Sequence, residues 1–160
     1  MTGSDLFPDL LRLAAKRKKK VFLLGAADGV ANIVKRKFEK KIQNLEISGT
    51  YAGSPSEMDE NNICQKIDAS GAELLFVAFG APQQELWIAR NLARLKIIKF
   101  AVGVGGTFDF YAGIIQRAPN FFCRFGLEWL WRLMHEPKRL KRIWNATFCF
   151  VRMIWKQRNF

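Results

Sequence analysis

Three short, almost wholly apolar runs limit what this chain can fold into: VFLLG (Val21 to Gly25), LLFVAFG (Leu74 to Gly80) and FAVGV (Phe100 to Val104). A strand that is apolar at every position, rather than at every second one, is covered on both faces. Leu45 to Thr50 reads as another strand. Helical spacing fills the intervals. Leu6, Leu10, Leu11, Leu13 and Ala14 follow the capping-type residues Thr2-Gly3-Ser4-Asp5, and further helices are expected from about Val30 to Gln43, Met58 to Ala69 and Gln83 to Leu95. Strands alternating with helices in this way predict an α/β domain, a Rossmann-like, mostly parallel sheet with helices on both faces.

In an open sheet of this kind ligands bind beyond the carboxyl ends of the strands. The loops expected there are Gly25 to Gly29, Gly80 to Glu85 and Gly105 to Gly113, each beginning with glycine. Helix N-termini on such a rim offer unpaired N–H groups to anions, so a nucleotide or sugar phosphate is the natural guest. Gly80-Ala81-Pro82-Gln83-Gln84-Glu85 opens a helix with two amides and a carboxylate in its first turn, as ligand contacts or as ordinary complementation of the helix dipole by Glu85. The stretch from Gly103 to Gly113 carries Thr107 and Asp109 among Phe108, Phe110 and Tyr111, with Arg117 just beyond. It reads either as a ligand cradle or as a capped strand-to-helix turn. Asp28-Gly29 reads as a turn before a helix. Gly103-Val104-Gly105-Gly106-Thr107-Phe108 fails the dinucleotide fingerprint at its sixth position, and the chain has no GxxxxGK[ST] loop.

The 160 residues carry 26 Lys and Arg against 14 Asp and Glu, a net charge of +12 that calls for an anionic partner. Cys64, Cys123 and Cys149 are widely spaced and His135 is the only histidine, so neither a disulfide framework nor a protein-held metal is expected. The basic excess gathers at the end of the chain. After Pro137, Leu140, Ile143, Trp144, Thr147, Phe148, Val151, Ile154 and Trp155 form one helical stripe, with Lys138, Lys141, Arg142, Arg152 and Lys156 largely off it. That profile fits a helix lying on an anionic membrane surface; packing on its own domain or in a homo-oligomer interface remain open. Nucleic acid is not expected, because the charge sits on an aromatic amphipathic segment and no nucleic-acid motif is present. Two parts are expected: an α/β nucleotide-sugar-binding domain over 1–119 and a C-terminal basic amphipathic helical appendage over 120–160.

TGSDLF (Thr2 to Phe7), VFLLG, GAPQQE (Gly80 to Glu85), GVGGTFDFYAG (Gly103 to Gly113), RAP (Arg117 to Pro119) and GLEWLWRLMHEPKRLKR (Gly126 to Arg142), in this order and spacing, resemble the WecB/TagA/CpsF family of bacterial glycosyltransferases, glycosyltransferase family 26. The resemblance implies transfer of a hexose of the N-acetylmannosamine type from a UDP-sugar to a polyprenyl-diphosphate-linked sugar at the inner face of the membrane, in the synthesis of teichoic acid or another surface polysaccharide. It implies no metal or other cofactor. On this reading Gly80, Glu85, Gly103, Gly105, Phe108 and Asp109 bind the donor. Gln84, Asp109, Arg132, Arg139 and Arg142 are candidates for the chemistry, the arginines because they can stabilise the charge on departing UDP. The protein is then cytoplasmic and peripheral to the membrane. The resemblance also places the family's base, an aspartate, in a region ahead of Met1. Alone, the 160 residues are therefore expected to transfer sugar slowly, or to need a separate chain carrying that region. The alternative reading is a non-catalytic UDP-binding or membrane-associated module.

Overall fold

The computed structural model describes residues 3–115, with side chains from residue 6 onward. The expectations for Arg117, Arg132, Arg139 and Arg142, for the helix after Pro137 and for the boundary at residue 119 lie outside the described residues. Within them the order is α1 (Gly3–Lys16), β1 (Val21–Gly25), α2 (Val30–Lys41), β2 (Ile47–Tyr51), α3 (Glu57–Ser70), β3 (Leu74–Ala78), α4 (Gln83–Asn91), a 3₁₀ turn (Leu92–Arg94), β4 (Phe100–Gly103) and α5 (Thr107–Ala112). The four strands lie in the order β2-β1-β3-β4 and every pair is parallel.

The apolar runs are apolar throughout because they feed two cores. Val21, Leu23, Phe76 and Ala78 face one way and pack with α1, α2 and α5. Phe22, Leu24, Leu75 and Val77 face the other way, onto Ile63 and Ile67 of α3 and Trp87 of α4. The α/β reading with helices on both faces is thus what the described chain forms. Phe7 of α1 is the hub of the first core, with ring centroids 5.4 Å from Phe38, 5.0 Å from Phe76, and 5.7 Å from both Phe108 and Tyr111.

Several boundaries move by a few residues for local reasons. The basic run after α1 ends the helix: Lys18 takes a left-handed φ of 52°, while Lys19 N–H donates to the Ala14 carbonyl and Lys18 N–H to that of Ala15. This is a Schellman closure with lysine where glycine is the usual choice. α3 begins where Ser56 accepts from Met58 N–H and ends at Gly71, φ 66°. The expected strand to Gly80 stops at Ala78, and Gly80 turns the chain at φ 80°. The expected helix to Leu95 is α-helical only to Asn91, beyond which the backbone tightens into the 3₁₀ turn.

Candidate functional site

The strand order fixes where a ligand crevice belongs. The chain moves outward from β1 to β2, returns across β1 to β3 and continues to β4. The connections therefore diverge between β1 and β3, and the loops after those two strands flank the switch point where open α/β sheets hold ligands. Gly25, at the end of β1, has a φ of 100°, and a Cβ there would lie 2.7 Å from the Ala78 carbonyl carbon. Only glycine lets β1 and β3 stay this close, with Ala26 N–H donating to the Ala78 carbonyl at 3.2 Å. α2 then starts at Gly29 with neither a side-chain cap nor an acidic residue in its first turn. Its positive dipole end faces the rim with no acidic residue in its first turn, as suits a bound anion.

On the other side of the switch point Gln84 organises the rim. Its Oε1 accepts from Gly80 N–H at 3.1 Å and from Gly105 N–H at 2.9 Å, and its Nε2 donates to Glu85 Oε1 at 2.7 Å. One amide thus holds the loop after β3 against the loop after β4. The side chain is 5% exposed, and a Cβ on Gly103 would sit 2.5 Å from Gln84 Nε2. Gly80, Gly103, Gly105 and Glu85 all meet Gln84 at this bracket. The glycines make room for Gln84 and supply the N–H groups that it accepts. Gln84 itself, expected among the chemistry-bearing groups, has its amide oxygen engaged by both loop amides.

Asp109 and Phe108 part company. Phe108 is fully buried in the first core against Phe7. Asp109 is half-buried in the first turn of α5, just past Gly106. α5 is fixed from outside by Lys37 of α2, whose Nζ donates to the Tyr111 and Ala112 carbonyls at 3.1 and 3.0 Å. Glu85 is exposed on α4.

A second rim feature escaped the sequence reading. Ser54, Pro55 and Ser56, after β2, face Gln83, Leu86 and Arg90 of α4 across a cleft of about 280 Å³. Arg90 spans its base, donating to the Pro55 carbonyl at 3.2 Å and through Nε to Glu60 Oε1 at 2.8 Å. Burial pushes the Glu60 carboxyl up, but hydrogen bonds from Arg90 and Asn91 and the charges of Arg90 and Arg94 outweigh it and hold Glu60 below the ordinary carboxyl range. The Gly53 to Glu60 stretch looked only like a loop because the partner that makes it a wall, Arg90, lies some thirty residues on.

The rim therefore offers a helix start without a side-chain cap, a braced pair of glycine loops, the carboxylates of Asp28, Glu85 and Asp109, and a polar cleft. Among the described residues no three His, Cys, Asp or Glu side chains form a metal-binding group, and no helix is long and apolar enough to cross a membrane. Comparison with known proteins agrees with the resemblance carried by the motifs. Two relatives bear the name N-acetylglucosaminyldiphosphoundecaprenol N-acetyl-beta-D-mannosaminyltransferase. The one from Bacillus spizizenii is 39% identical over 143 residues, covering 89% of this chain and 54% of the relative. The one from Bacillus subtilis is 33% identical over 159 residues, covering 99% of this chain and 61% of the relative. The chain thus spans between half and two thirds of their length. The profile of the glycosyl transferase WecG/TagA/CpsF family matches residues 1–160, from the first motif to the last, and the chain belongs to that family.

Proposed function

We propose that the protein takes part in moving a hexose of the N-acetylmannosamine type from a UDP-sugar to a lipid-diphosphate-linked acceptor, in the synthesis of a cell-wall or surface polysaccharide. The observation that carries this reading is the braced rim at the carboxyl ends of β1, β3 and β4, in a chain matched by the family over its whole length. The relatives' names supply the acceptor class and the sugar; the UDP donor is what the family resemblance implies, and helix N-termini on that rim suit a diphosphate.

The chemistry is displacement at the anomeric carbon. A base takes the acceptor hydroxyl proton as the new glycosidic bond forms, while the bond to the nucleotide diphosphate breaks and its oxygen carries away the electron pair. Charge that develops on the leaving diphosphate is stabilised by the N–H groups of the rim and by arginines, for which Arg132, Arg139 and Arg142 are the candidates. Asp109 and Glu85 are carboxylates of the rim proposed to hold the sugar or the nucleotide. The resemblance gives both a donor-binding role, and Asp109 is also a candidate for the chemistry.

Calorimetric titration with UDP and UDP-N-acetylmannosamine tests the site, alongside transfer to a lipid-diphosphate N-acetylglucosamine acceptor. UDP should bind the native chain and bind Asp109→Ala more weakly. Undetectable heat for both proteins, with the fold intact, would sink the proposal. Full transfer by the 160-residue chain that vanishes in Asp109→Asn would make Asp109 the base instead.

A further inference from the structure

α5, the helix that carries Asp109, is only six residues long, too short to be stable without partners. Its C-terminal end is closed in two ways. Gly113, φ 87°, donates its N–H to the carbonyls of Asp109 and Phe110, and the N–H groups of Ile114 and Ile115 donate to that of Asp109 at 3.0 and 3.3 Å. The last two carbonyls, those of Tyr111 and Ala112, have no N–H of their own helix to accept from. Lys37 Nζ donates to both, at 3.1 and 3.0 Å. An ammonium placed there also meets the negative end of the helix dipole, so charge and hydrogen bonding act together.

The amine that closes α5 belongs to an element that reaches the rim itself. α2 starts after Gly29 with no acidic residue in its first turn, and Lys37 lies about 10 Å further down the same helix. Phe38, the next residue, holds α5 from the inner side, its ring 5.0 Å from that of Tyr111. Lys37 is exposed, so the core does not require it. A Cβ on Gly113 would lie 3.6 Å from Lys37 Nζ, which places the amine over the end of the helix. Two adjacent residues of α2, one buried and one exposed, thus set where α5 sits relative to the start of α2.

We propose that Lys37 is a positioning residue for the donor: by clasping the end of α5 it fixes the spacing between Asp109 and the start of α2, so that one nucleotide diphosphate engages both. This rests on the donor reading of the rim given above. Lys37 itself touches no substrate, and its effect on affinity passes through Asp109.

Titration of the chain with UDP, combined with amide exchange, tests this. Lys37→Met keeps the stem and removes the donors, and should bind UDP about five- to tenfold more weakly. Lys37→Arg, which keeps a charge and donors, should recover most of that loss. In the Asp109→Asn background Lys37→Met should change the affinity by less than about twofold, because the carboxylate it positions is gone. Without ligand, the Gly113 and Ile114 amides should exchange at least about tenfold faster in Lys37→Met, with those of β1 and β3 unchanged. An unchanged UDP affinity in Lys37→Met overturns the proposal. So does an equal loss with and without the Asp109 carboxylate, which marks a general loss of stability instead. If Lys37→Met does not fold, Lys37→Gln, which keeps a single amide donor group, takes its place in the same cycle. If the native chain binds no UDP, the donor reading fails; faster exchange at Gly113 and Ile114 in Lys37→Met then sustains the positioning of Asp109, and equal exchange overturns it.

Discussion

At Gln84 a single side chain decides whether two loops form one surface. Replacing it with leucine keeps the bulk and removes the acceptor, so the N–H groups of Gly80 and Gly105 lose their partner. An unsatisfied buried donor costs about 1–3 kcal/mol. Gln84→Leu should therefore lower the unfolding free energy, read from urea denaturation, by an amount in that range and weaken UDP binding together. Gly103→Ala should act in the same direction, because its Cβ would occupy the place of the Gln84 amide. An unchanged UDP affinity in both variants would separate the bracket from the ligand site. Lys18 offers the opposite experiment. It holds a left-handed φ of 52°, which costs a side-chain-bearing residue about 1–2 kcal/mol, part of which glycine gives back as unfolded-chain entropy. Lys18→Gly should raise stability by about 0.5–1 kcal/mol, read from chemical denaturation.

Among the elements, α4 carries two separable burdens, its place in the second core and its tie to α3. Trp87 is fully buried with its ring against Phe79, yet among the described residues its Nε1 has no hydrogen-bond partner. Trp87→Phe removes that donor along with some volume, and the two effects oppose each other. A change under about 1.5 kcal/mol is expected, against about 3–5 kcal/mol for Trp87→Ala. The tie to α3 is the Glu60 pair with Arg90, at 2.7 Å. Because the folded Glu60 pKa lies below its ordinary 4.5, the stability it contributes is fully present above that value and is lost as pH falls through the folded pKa. The gap in urea midpoint between the native chain and Glu60→Gln should be widest near neutrality and close below about pH 4.5. A gap that persists unchanged at pH 3 would show that the pair's charge is not its source.

Across the whole molecule, the net charge of +12 is the dominant long-range property. A chain this basic is drawn to an anionic bilayer, with about 1 kcal/mol per basic residue near the surface. Co-sedimentation should be stronger with anionic than with neutral vesicles and should fall steeply between 0.05 and about 0.5 M salt, as the Debye length shrinks. Deleting Lys138 to Phe160 should remove most of the binding. If it does not, the basic end of the chain is packing or oligomer surface. The sequence determined the layers: unbroken apolar runs specify strands covered on both sides, and glycine after each run specifies where the chain turns over the sheet. Its motifs also specified the family, because those residues are consecutive and need no partner from elsewhere. Only the tertiary structure decided the strand order, and with it the switch point beside Gly25 and Ala78, since parallel strands of similar composition pair equally well on paper. It also decided that Phe108 belongs to the core and Gln84 to the bracket between loops. An aromatic or an amide beside glycines looks the same in a sequence whether it faces a ligand or the chain itself, and the distinction rests on contacts between residues some twenty to a hundred positions apart.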